Sequence, residues 1–440
     1  MKYYSTNGNA PMASLKDAVI KGLAPDGGLY MPERISLIPK AFFNNLKGMT
    51  FQEIAYVVAN TLFGEDVESD RLKAIVYDAL NFPIPLKKVE DNIYVLELFH
   101  GPTLAFKDVG ARFMARLLGY FNEKEQDGKS VNVLVATSGD TGSAVANGFL
   151  NVPGVNVFVL YPKGKVSRLQ EMQFATLGAN IHPLEIDGTF DDCQAMVKSA
   201  FVDEDLNEKM KLTSANSINP ARFLPQMFYY FWAYAQLLQL TQDENVGDKL
   251  VFCVPSGNLG NICSALIGTK MGLPVKRFVA ANNRNRVFTD YLLTGTYSPK
   301  ASVLTVANAM DVGAPSNFAR ILELYGKDYE AVSGNISGYS YDDGEILSVI
   351  DRLYRENGYL LDPHGATGYL ALKESLKDGE IGVFLETAHP AKFKETVESS
   401  IKETIEIPET LQKFISRQKQ SVKLPATFSA LKKYLLSTNL

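Results

Sequence analysis

Short apolar runs alternate with amphipathic segments through the middle of the chain, from about residue 86 to residue 390. The apolar runs have the length and composition of buried strands, and the segments between them have the periodicity of helices. The predicted strands are 94–98, 131–136, 155–160, 181–185, 250–254, 275–281 and 382–387. Strands that alternate with helices predict parallel sheets covered on both faces. These strands are too many and too far apart in sequence for one compact sheet, so we predict two α/β units.

The flanks of the chain show different patterns. Residues 1–85 alternate turns with short amphipathic helices, which predicts a small helical N-terminal domain. Residues 86–390 form the predicted α/β core, and the segment 329–344, rich in Gly, Ser and Tyr, is expected to be a surface loop. The cluster 228–234 is aromatic on all sides of a helix, which favours a core helix over a binding platform. Residues 391–440 are expected to form a helical C-terminal extension.

Composition is that of an ordinary globular protein, since 46% of the 440 residues are hydrophobic and 21% are charged. The net charge of -5 leaves no general basic field, so neither a nucleic acid nor an anionic membrane is expected as a partner. No run approaches the roughly 18 apolar residues of a membrane span, and the N-terminus lacks a signal-peptide pattern, which predicts a cytoplasmic protein. The three cysteines show no CxxC pairing and the four histidines do not cluster, so no metal site is expected.

A single lysine stands at a corner between a predicted strand and a predicted helix. The apolar run 93–98 is stopped by Gly101 and Pro102, and Lys107 then opens a helical pattern after a Leu-Ala-Phe run. In open α/β sheets, ligands bind at the carboxyl ends of strands, which is where this lysine is expected. A helix N-terminus and apolar surroundings both lower the pKa of a lysine, which favours Schiff-base chemistry. The alternative is an ordinary solvated lysine at the start of a helix.

Two glycine-containing loops follow predicted strands and precede predicted helices. They are residues 137–143 (TSGDTGS) and 255–261 (PSGNLGN). Small residues let backbone N–H groups approach an anion at the positive end of a helix, so phosphate or carboxylate is the expected ligand. Each loop alone could equally be a helix cap, and neither shows the GxGxxG pattern of dinucleotide-binding folds. Beside a Schiff-base lysine, the two loops together indicate pyridoxal phosphate.

Four segments, in their order along the chain, resemble the threonine synthases of the shorter microbial and fungal type. They are residues 99–108 (FHGPTLAFKD), 137–143 (TSGDTGS), 256–261 (SGNLGN) and 386–393 (ETAHPAKF). Residues 1–6 and 26–32 are similar to the N-terminal domain of that family, and the resemblance extends to about residue 414. It implies the fold of the tryptophan synthase β-chain, known as fold type II, with pyridoxal phosphate as cofactor. It also implies a monomeric lyase that converts O-phospho-L-homoserine and water to L-threonine and phosphate.

The resemblance implies roles for individual cofactor-binding residues. Lys107 matches the family's Schiff-base lysine, and Thr387 matches the hydroxyl beside the pyridine nitrogen. A neutral hydroxyl at that position does not force the ring nitrogen to stay protonated. The residues that match the cup for the cofactor phosphate are Gly257, Asn258, Leu259, Gly260 and Asn261.

The loop 137–143 resembles the family's cradle for the substrate carboxylate. The candidate residues in it are Ser138, Gly139, Asp140 and Thr141. Backbone N–H groups are expected to contribute more than Asp140, because its own charge repels a carboxylate. The candidates for the substrate phosphate are Arg112, Asn219 and Arg222, because guanidinium groups match phosphate geometry. Either arginine could instead be a structural ion-pair partner.

Two other interpretations make different predictions. Another pyridoxal phosphate lyase of the same fold, such as a serine or threonine dehydratase, would release ammonia and a keto acid instead of phosphate and threonine. A non-catalytic or nucleotide-binding α/β protein would lack the visible absorbance of a lysine-bound cofactor and would be inert to borohydride.

Overall fold

The computed structural model describes residues 1–125 and 129–438. Residues 439 and 440, the end of the predicted C-terminal extension, lie outside the described residues. In the described part of the chain the strands are β1 (Lys2–Ser5), β2 (Ala13–Ser14), β3 (Tyr30–Pro32), β4 (Leu86–Glu90), β5 (Ile93–Glu97), β6 (Val131–Ala136), β7 (Val155–Pro162), β8 (Ile181–Asp187), β9 (Lys211–Ser214), β10 (Leu250–Pro255), β11 (Arg277–Asn282), β12 (Ile336–Ser340), β13 (Ile381–Glu386) and β14 (Val422–Pro425).

The α-helices of the same residues are α1 (Leu15–Lys21), α2 (Lys40–Asn45), α3 (Phe51–Phe63), α4 (Ser69–Ala79), α5 (Lys107–Glu125), α6 (Asp140–Phe149), α7 (Arg168–Ala175), α8 (Phe190–Val202), α9 (Glu204–Lys209), α10 (Pro220–Phe223), α11 (Phe228–Thr241), α12 (Gly260–Lys270), α13 (Val287–Thr294), α14 (Phe318–Leu324), α15 (Tyr329–Asn335), α16 (Asp343–Asn357), α17 (Pro363–Ser375), α18 (Lys394–Ile401), α19 (Glu409–Ile415) and α20 (Phe428–Ser437). Short 3₁₀ segments lie at Leu46–Gly48, Leu224–Met227, Val246–Asp248, Asn308–Met310 and Pro390–Phe393.

The chain forms two compact units. The first unit comprises Met1, Pro32–Phe106 and Phe223–Glu406, and the second comprises Lys2–Met31, Lys107–Arg222 and Ile407–Leu440. Each of the three segments predicted from the sequence, 1–85, 86–390 and 391–440, contributes residues to both units. The compact units therefore do not follow the predicted segments.

A six-stranded sheet forms the centre of the first unit. Its strand order is β12-β11-β10-β13-β5-β4, and all neighbours are parallel except β4, which runs antiparallel to β5. The central strands β10 and β13 are buried along almost their whole length, which explains their continuous apolar sequences. Apolar side chains of the sheet pack with those of α16, α17 and α18 to form the core.

The second unit contains a five-stranded, fully parallel sheet of order β14-β8-β7-β6-β9. Its core joins the sheet to α8 and α20. Near the amino terminus, β1, β2 and β3 form a separate three-stranded sheet. These strands have only two to four residues, which is too short for a periodic sequence signal.

The seven predicted strands are all present, and the two parallel sheets with a helical N-terminal region confirm the predicted fold class. Four further strands of these sheets, β4, β9, β12 and β14, were not predicted, and each is the edge of its sheet. The expected loop 329–344 is wrong, because it contains α15 and β12, and β14 interrupts the expected helical extension. The aromatic cluster 228–234 opens α11, a largely buried helix. Among the described residues, no helix is both long and apolar enough to cross a membrane.

Candidate active site

Lys107 is the first residue of α5 and directly follows a turn that is fastened to the end of β13. At the start of the turn, Leu98 donates its backbone N–H to the carbonyl of Glu386 at 3.0 Å. At its other end, the N–H of Phe106 donates to the carbonyl of Thr387 at 2.9 Å. Two consecutive residues at one strand end therefore hold both ends of the turn, and the half-buried Lys107 continues the chain from there.

Further bonds within the turn restrict its conformation. Leu104 has a left-handed φ of 55°, and its N–H donates to the carbonyl of Gly101 at 3.0 Å. The buried Lys392 donates its ammonium to the carbonyl of Thr103 at 2.7 Å. A buried ammonium that binds a carbonyl replaces the water it has lost, so the turn is held from inside as well as at its ends.

The loop after β10 has the geometry of an anion-binding nest. Leu259 adopts a left-handed φ of 61° and directly precedes α12. The first amides of a helix have no acceptor within that helix, so the N–H groups of Gly260 and Asn261 point towards the loop. A methyl group on Gly257 would come within 2.8 Å of the Cα of Met310, which explains why a glycine is needed. We call residues 257–261 the cup.

Asn261 supplies a direct test of whether the cup suits a phosphate. Its side chain is 7% exposed, and its Oδ1 accepts hydrogen bonds from the hydroxyls of Tyr229 at 2.6 Å and Tyr230 at 2.7 Å. These two bonds orient the amide and leave Nδ2 buried, with no acceptor among the described residues. Buried polar groups nearly always have a partner, and a phosphate oxygen would provide one. The residues present therefore fit the phosphate of pyridoxal phosphate.

A second layer of polar residues supports the cup, and sequence reasoning missed it. Asn258 accepts at its carbonyl from Nδ2 of Asn317 at 2.9 Å, and at its Oδ1 from the N–H of Ser316 at 2.6 Å. Asn317 in turn accepts from the fully buried Arg320 at 2.7 Å. The Pro-Ser-Asn run before α14 is a turn signal, but nothing in its spacing indicates that it reaches the cup.

In the second unit, the predicted carboxylate loop is ordered by its own side chains. The hydroxyl of Thr137 accepts from the N–H groups of Gly139 at 3.0 Å and Gly142 at 2.8 Å. Gly139 has φ 149° and ψ −92°, a conformation available to glycine. The buried carboxylate of Asp140 accepts from Nε2 of Gln170 at 2.9 Å. The Gly139 amide is thus committed within the loop, and Asp140 takes part in shaping it.

Asn219 and Arg222, two of the residues predicted to bind the substrate phosphate, both contact backbone carbonyls of the second unit. The amide nitrogen of Asn219 is fully buried and donates to the carbonyls of Val19 at 2.8 Å and Ser214 at 3.1 Å. Its two N–H bonds are therefore already used. Arg222 is 2% exposed and donates to the carbonyls of Ala215 at 2.8 Å and Lys107 at 3.3 Å. It holds the first turn of α5 in place.

Gly110 explains how Arg222 comes so close to α5. A methyl group there would lie 2.1 Å from the carbonyl oxygen of Arg222 and 2.6 Å from its Nη1. Arg112, the third candidate for the substrate phosphate, lies further along the same helix and is half-buried.

The three cysteines are buried and form no disulfide. Burial raises the pKa of the Cys193 and Cys263 thiols to about 12, so neither supplies a thiolate at neutral pH.

Comparison with known proteins identifies what this arrangement resembles. Residues 79–386 match the family described as pyridoxal-phosphate dependent enzymes, residues 2–80 match the threonine synthase N terminus, and residues 365–435 match the threonine synthase C-terminal region. A threonine synthase from Haemophilus influenzae is 44% identical over 100% of both chains. The crystal structure of threonine synthase from Escherichia coli is 41% identical, with a TM-score of 0.91 over 99% of both chains. The structure of threonine synthase with bound pyridoxal phosphate from Brucella melitensis is 33% identical, with a TM-score of 0.91 over 99% of this chain and 98% of that one.

Proposed function

The chain belongs to the threonine synthase family of pyridoxal-phosphate-dependent enzymes, and we propose that Lys107 both attaches the cofactor and transfers the protons of the reaction. The proposed substrate is O-phospho-L-homoserine, which is converted with water to L-threonine and phosphate. The observation that carries the assignment is the turn before Lys107. Its two ends are bonded to Glu386 and Thr387, so the lysine leaves a rigid strand end next to the residue proposed for the pyridine nitrogen.

The cup, residues 257–261, is proposed to bind the cofactor phosphate. Backbone N–H groups at the start of α12 and the left-handed Leu259 would supply most of the contacts. Nδ2 of Asn261 would supply one more, since it is buried and has no acceptor among the described residues. The hydroxyl of Thr387 is proposed to contact the pyridine nitrogen, where a neutral partner leaves the protonation of the ring adjustable.

When bound, pyridoxal phosphate withdraws electrons from the substrate's Cα and so makes the neighbouring C–H bonds acidic. The proposed base is the amine of Lys107, at the first residue of α5. It would remove the Cα proton and then a Cβ proton, and it would return a proton to Cγ after the phosphate leaves. Water would then add at Cβ, and a proton would return to Cα. The bond broken is the one between Cγ and the phosphate oxygen, and the bonds formed are C–O at Cβ and C–H at Cγ and Cα.

The substrate carboxylate and phosphate require separate anion sites. In the loop 137–143, the N–H groups of Ser138 and Thr141 are the proposed donors to the carboxylate, because those of Gly139 and Gly142 already bind Thr137. Arg112 remains the proposed partner of the substrate phosphate, since a guanidinium binds phosphate through two parallel hydrogen bonds. Stabilising the leaving phosphate is the kind of interaction that raises kcat more than it lowers KM.

Two general properties complete the proposal. The three reduced, buried cysteines support a reducing compartment, and we place the enzyme in the cytoplasm. We also propose that it acts as a monomer on its small-molecule substrate, without nucleic acid. Light scattering after size exclusion tests the oligomeric state, and a mass of twice the 48.5 kDa chain would contradict it.

Borohydride reduction of the coloured enzyme, followed by peptide mapping, tests the central assignment. The cofactor should be fixed to the peptide that contains Lys107, and label on any other lysine would refute the proposed mechanism. Product analysis separates the related lyases: phosphate and threonine support the proposal. Ammonia and a keto acid from serine or threonine would indicate a dehydratase instead.

A further inference from the structure

A buried polar chain of the first unit runs between the end of β13 and the cup. Asp362, just before α17, donates its backbone N–H to Oε1 of Glu386 at 2.5 Å. Its own carboxylate accepts from Nδ1 of His364 at 2.5 Å, from the N–H of His364 at 2.7 Å and from the N–H of Gly365 at 3.3 Å. Asp362 and Glu386 are fully buried and His364 is 2% exposed. Buried groups joined in this way hold one another in a single arrangement.

His364 carries this chain onward to the cup. Its Nε2 accepts from the backbone N–H of Ala309 at 3.1 Å. A backbone N–H can only donate, so Nε2 is unprotonated and the ring proton is on Nδ1, where Asp362 accepts it. Ala309 and Met310 belong to the 3₁₀ segment that packs against Gly257: a methyl group there would lie 2.8 Å from Cα of Met310 and 3.1 Å from the Ala309 carbonyl.

The opposite end of the chain reaches the residue next to Thr387. The carbonyl of Glu386 accepts from Leu98, and that of Thr387 accepts from Phe106, the residue before Lys107. The side chain of Glu386 packs so tightly on α17 that a methyl group on Gly365 would come within 1.6 Å of its Oε2. Only a glycine at residue 365 permits this approach.

We propose that Glu386, Asp362 and His364 form a positioning network that holds the cup and the end of β13 in a fixed relation, with His364 supporting the phosphate end. The inference rests on the assignment of the cup as the cofactor-phosphate site. None of the three residues needs to touch the cofactor. They act through the 3₁₀ segment 308–310 on one side and through the strand end that carries Thr387 on the other.

Two variants of His364 cut the network at different bonds. In His364→Asn, the side-chain amide reaches the position of Nδ1 and can bind Asp362, but it is too short to meet the N–H of Ala309. In His364→Gln, the amide oxygen reaches the position of Nε2 and can accept from Ala309. His182→Asn is the matched control, because His182 lies on β8 in the second unit, stacked on Phe158.

The measurement compares pyridoxal phosphate with pyridoxal, which lacks the phosphate. The Kd of each for the apoenzyme is obtained from the visible absorbance of the lysine-bound form, and their ratio reports the cup alone. Loss of one supporting hydrogen bond should weaken pyridoxal phosphate about tenfold in His364→Asn and leave pyridoxal unchanged. The ratio should stay close to that of the wild type in His182→Asn. In His364→Gln, which keeps the bond to Ala309 but loses the bond to Asp362, the ratio should change by less than in His364→Asn, and an unchanged ratio there would remove Asp362 and Glu386 from the network.

The outcomes separate the network from the assignment on which it rests. If the wild type bound pyridoxal as tightly as pyridoxal phosphate, the cup assignment itself would be wrong. If the wild type distinguished the two and His364→Asn kept the same ratio, the network would be refuted. Equal loss of both affinities in His364→Asn, together with a lower Tm, would also refute it, because that pattern indicates general damage to the core.

Discussion

Two buried glutamates lie at opposite ends of β13 and have opposite electrostatic surroundings. Glu380, just before the strand, is paired with Arg277 through contacts of 3.1 and 2.6 Å and with Lys276 at 3.1 Å. Hydrogen bonding to Arg277 is the main cause that lowers its pKa to about 2. Glu386, the last residue of the strand, accepts from the backbone N–H of Asp362. Burial first, and the nearby Asp362 carboxylate second, raise its pKa well above the ordinary 4.5.

The comparison of Glu380 with Glu386 shows that the two ends of β13 have different roles. At the amino end, a carboxylate meets two cations, and the interaction fastens β13 to β11, which begins at Arg277. At the carboxyl end, burial dominates the surroundings of the Glu386 carboxyl group, and the loops that follow carry the proposed site. Ligands of parallel sheets bind at this end, where polar groups are held for a function instead of for stability. Changes at the carboxyl end should therefore affect chemistry, and changes at the amino end should affect unfolding.

Lys107→Ala should have the largest effect on activity, and this effect should be clearly separate from any change in stability. Without the amine, both the attachment of the cofactor and the proton transfers are lost, so kcat/KM should fall by about 10⁴-fold. The Tm of the apoenzyme should stay unchanged, because the lysine is half-buried and belongs to the first turn of α5. Lys124→Ala, in the last turn of the same helix, is the matched control and should retain activity. Comparable activity of both variants would remove Lys107 from the mechanism.

Glu380→Gln should have the largest effect on stability and none on the chemistry. The lowered pKa corresponds to about 3 kcal/mol of stabilisation at neutral pH, which the variant should lose in urea unfolding. A carboxyl group with a lowered pKa stabilises the fold above its unfolded pKa, and this stability disappears as pH falls from 4.5 towards 2. The wild type and the variant should therefore converge in stability at low pH. A drop in kcat with unchanged stability would overturn the assignment of roles to the two ends.

The edges of the sheets show where the hydrophobic pattern stops being informative. The central strands were predictable because they are buried on both faces and read as continuous apolar runs, as Val131–Ala136 and Leu250–Pro255 do. Each of the four missed strands has a sheet neighbour on one side only. β14 (Val422–Pro425) has no buried residue, and β12 (Ile336–Ser340) has one. Such strands form because a neighbouring strand offers hydrogen bonds, and that neighbour is not visible in the local sequence.

The residues of the candidate site also divide into those that the sequence could predict and those that it could not. Lys107 and the cup could be named from contiguous motifs, because a glycine-rich loop carries its own conformational signal. His364 could not, since its role depends on Ala309, 55 residues away, and on a tautomer that only the fold determines. The contacts of Asn219 could not be predicted for the same reason: an amide in a Pro-containing turn can face a ligand or a carbonyl, and the sequence does not distinguish them.

Gly257→Ala should have an intermediate effect, confined to the carboxyl end. The added methyl group would press on the backbone at Met310, 2.8 Å away, and overpacking of this kind costs about 1–3 kcal/mol. We expect the affinity for pyridoxal phosphate to fall by about tenfold or more, because the segment 308–310 must move or the cup must open. Gly334→Ala is the control, since nothing lies within 4 Å of a methyl group there. Unchanged affinity in Gly257→Ala would show that the cup is not closely packed.

Glu386→Gln should have the smallest effect on the free energy of unfolding. The change should have the opposite sign to the change in Glu380→Gln. A carboxyl group with a raised pKa stabilises the fold below its unfolded pKa of about 4.5, and this stability is lost as pH rises through the folded pKa. The glutamine does not titrate, so its stability relative to the wild type should improve as pH rises from 4.5 towards the folded pKa of Glu386. Any hydrogen bond that the amide gains or loses contributes equally at every pH and leaves the slope of stability against pH unaffected. Urea unfolding at pH 5, 6 and 7 measures the slope; a difference that stays constant across these values would mean that Glu386 is ionised like an ordinary carboxylate, and the contrast between the two ends of β13 would not hold.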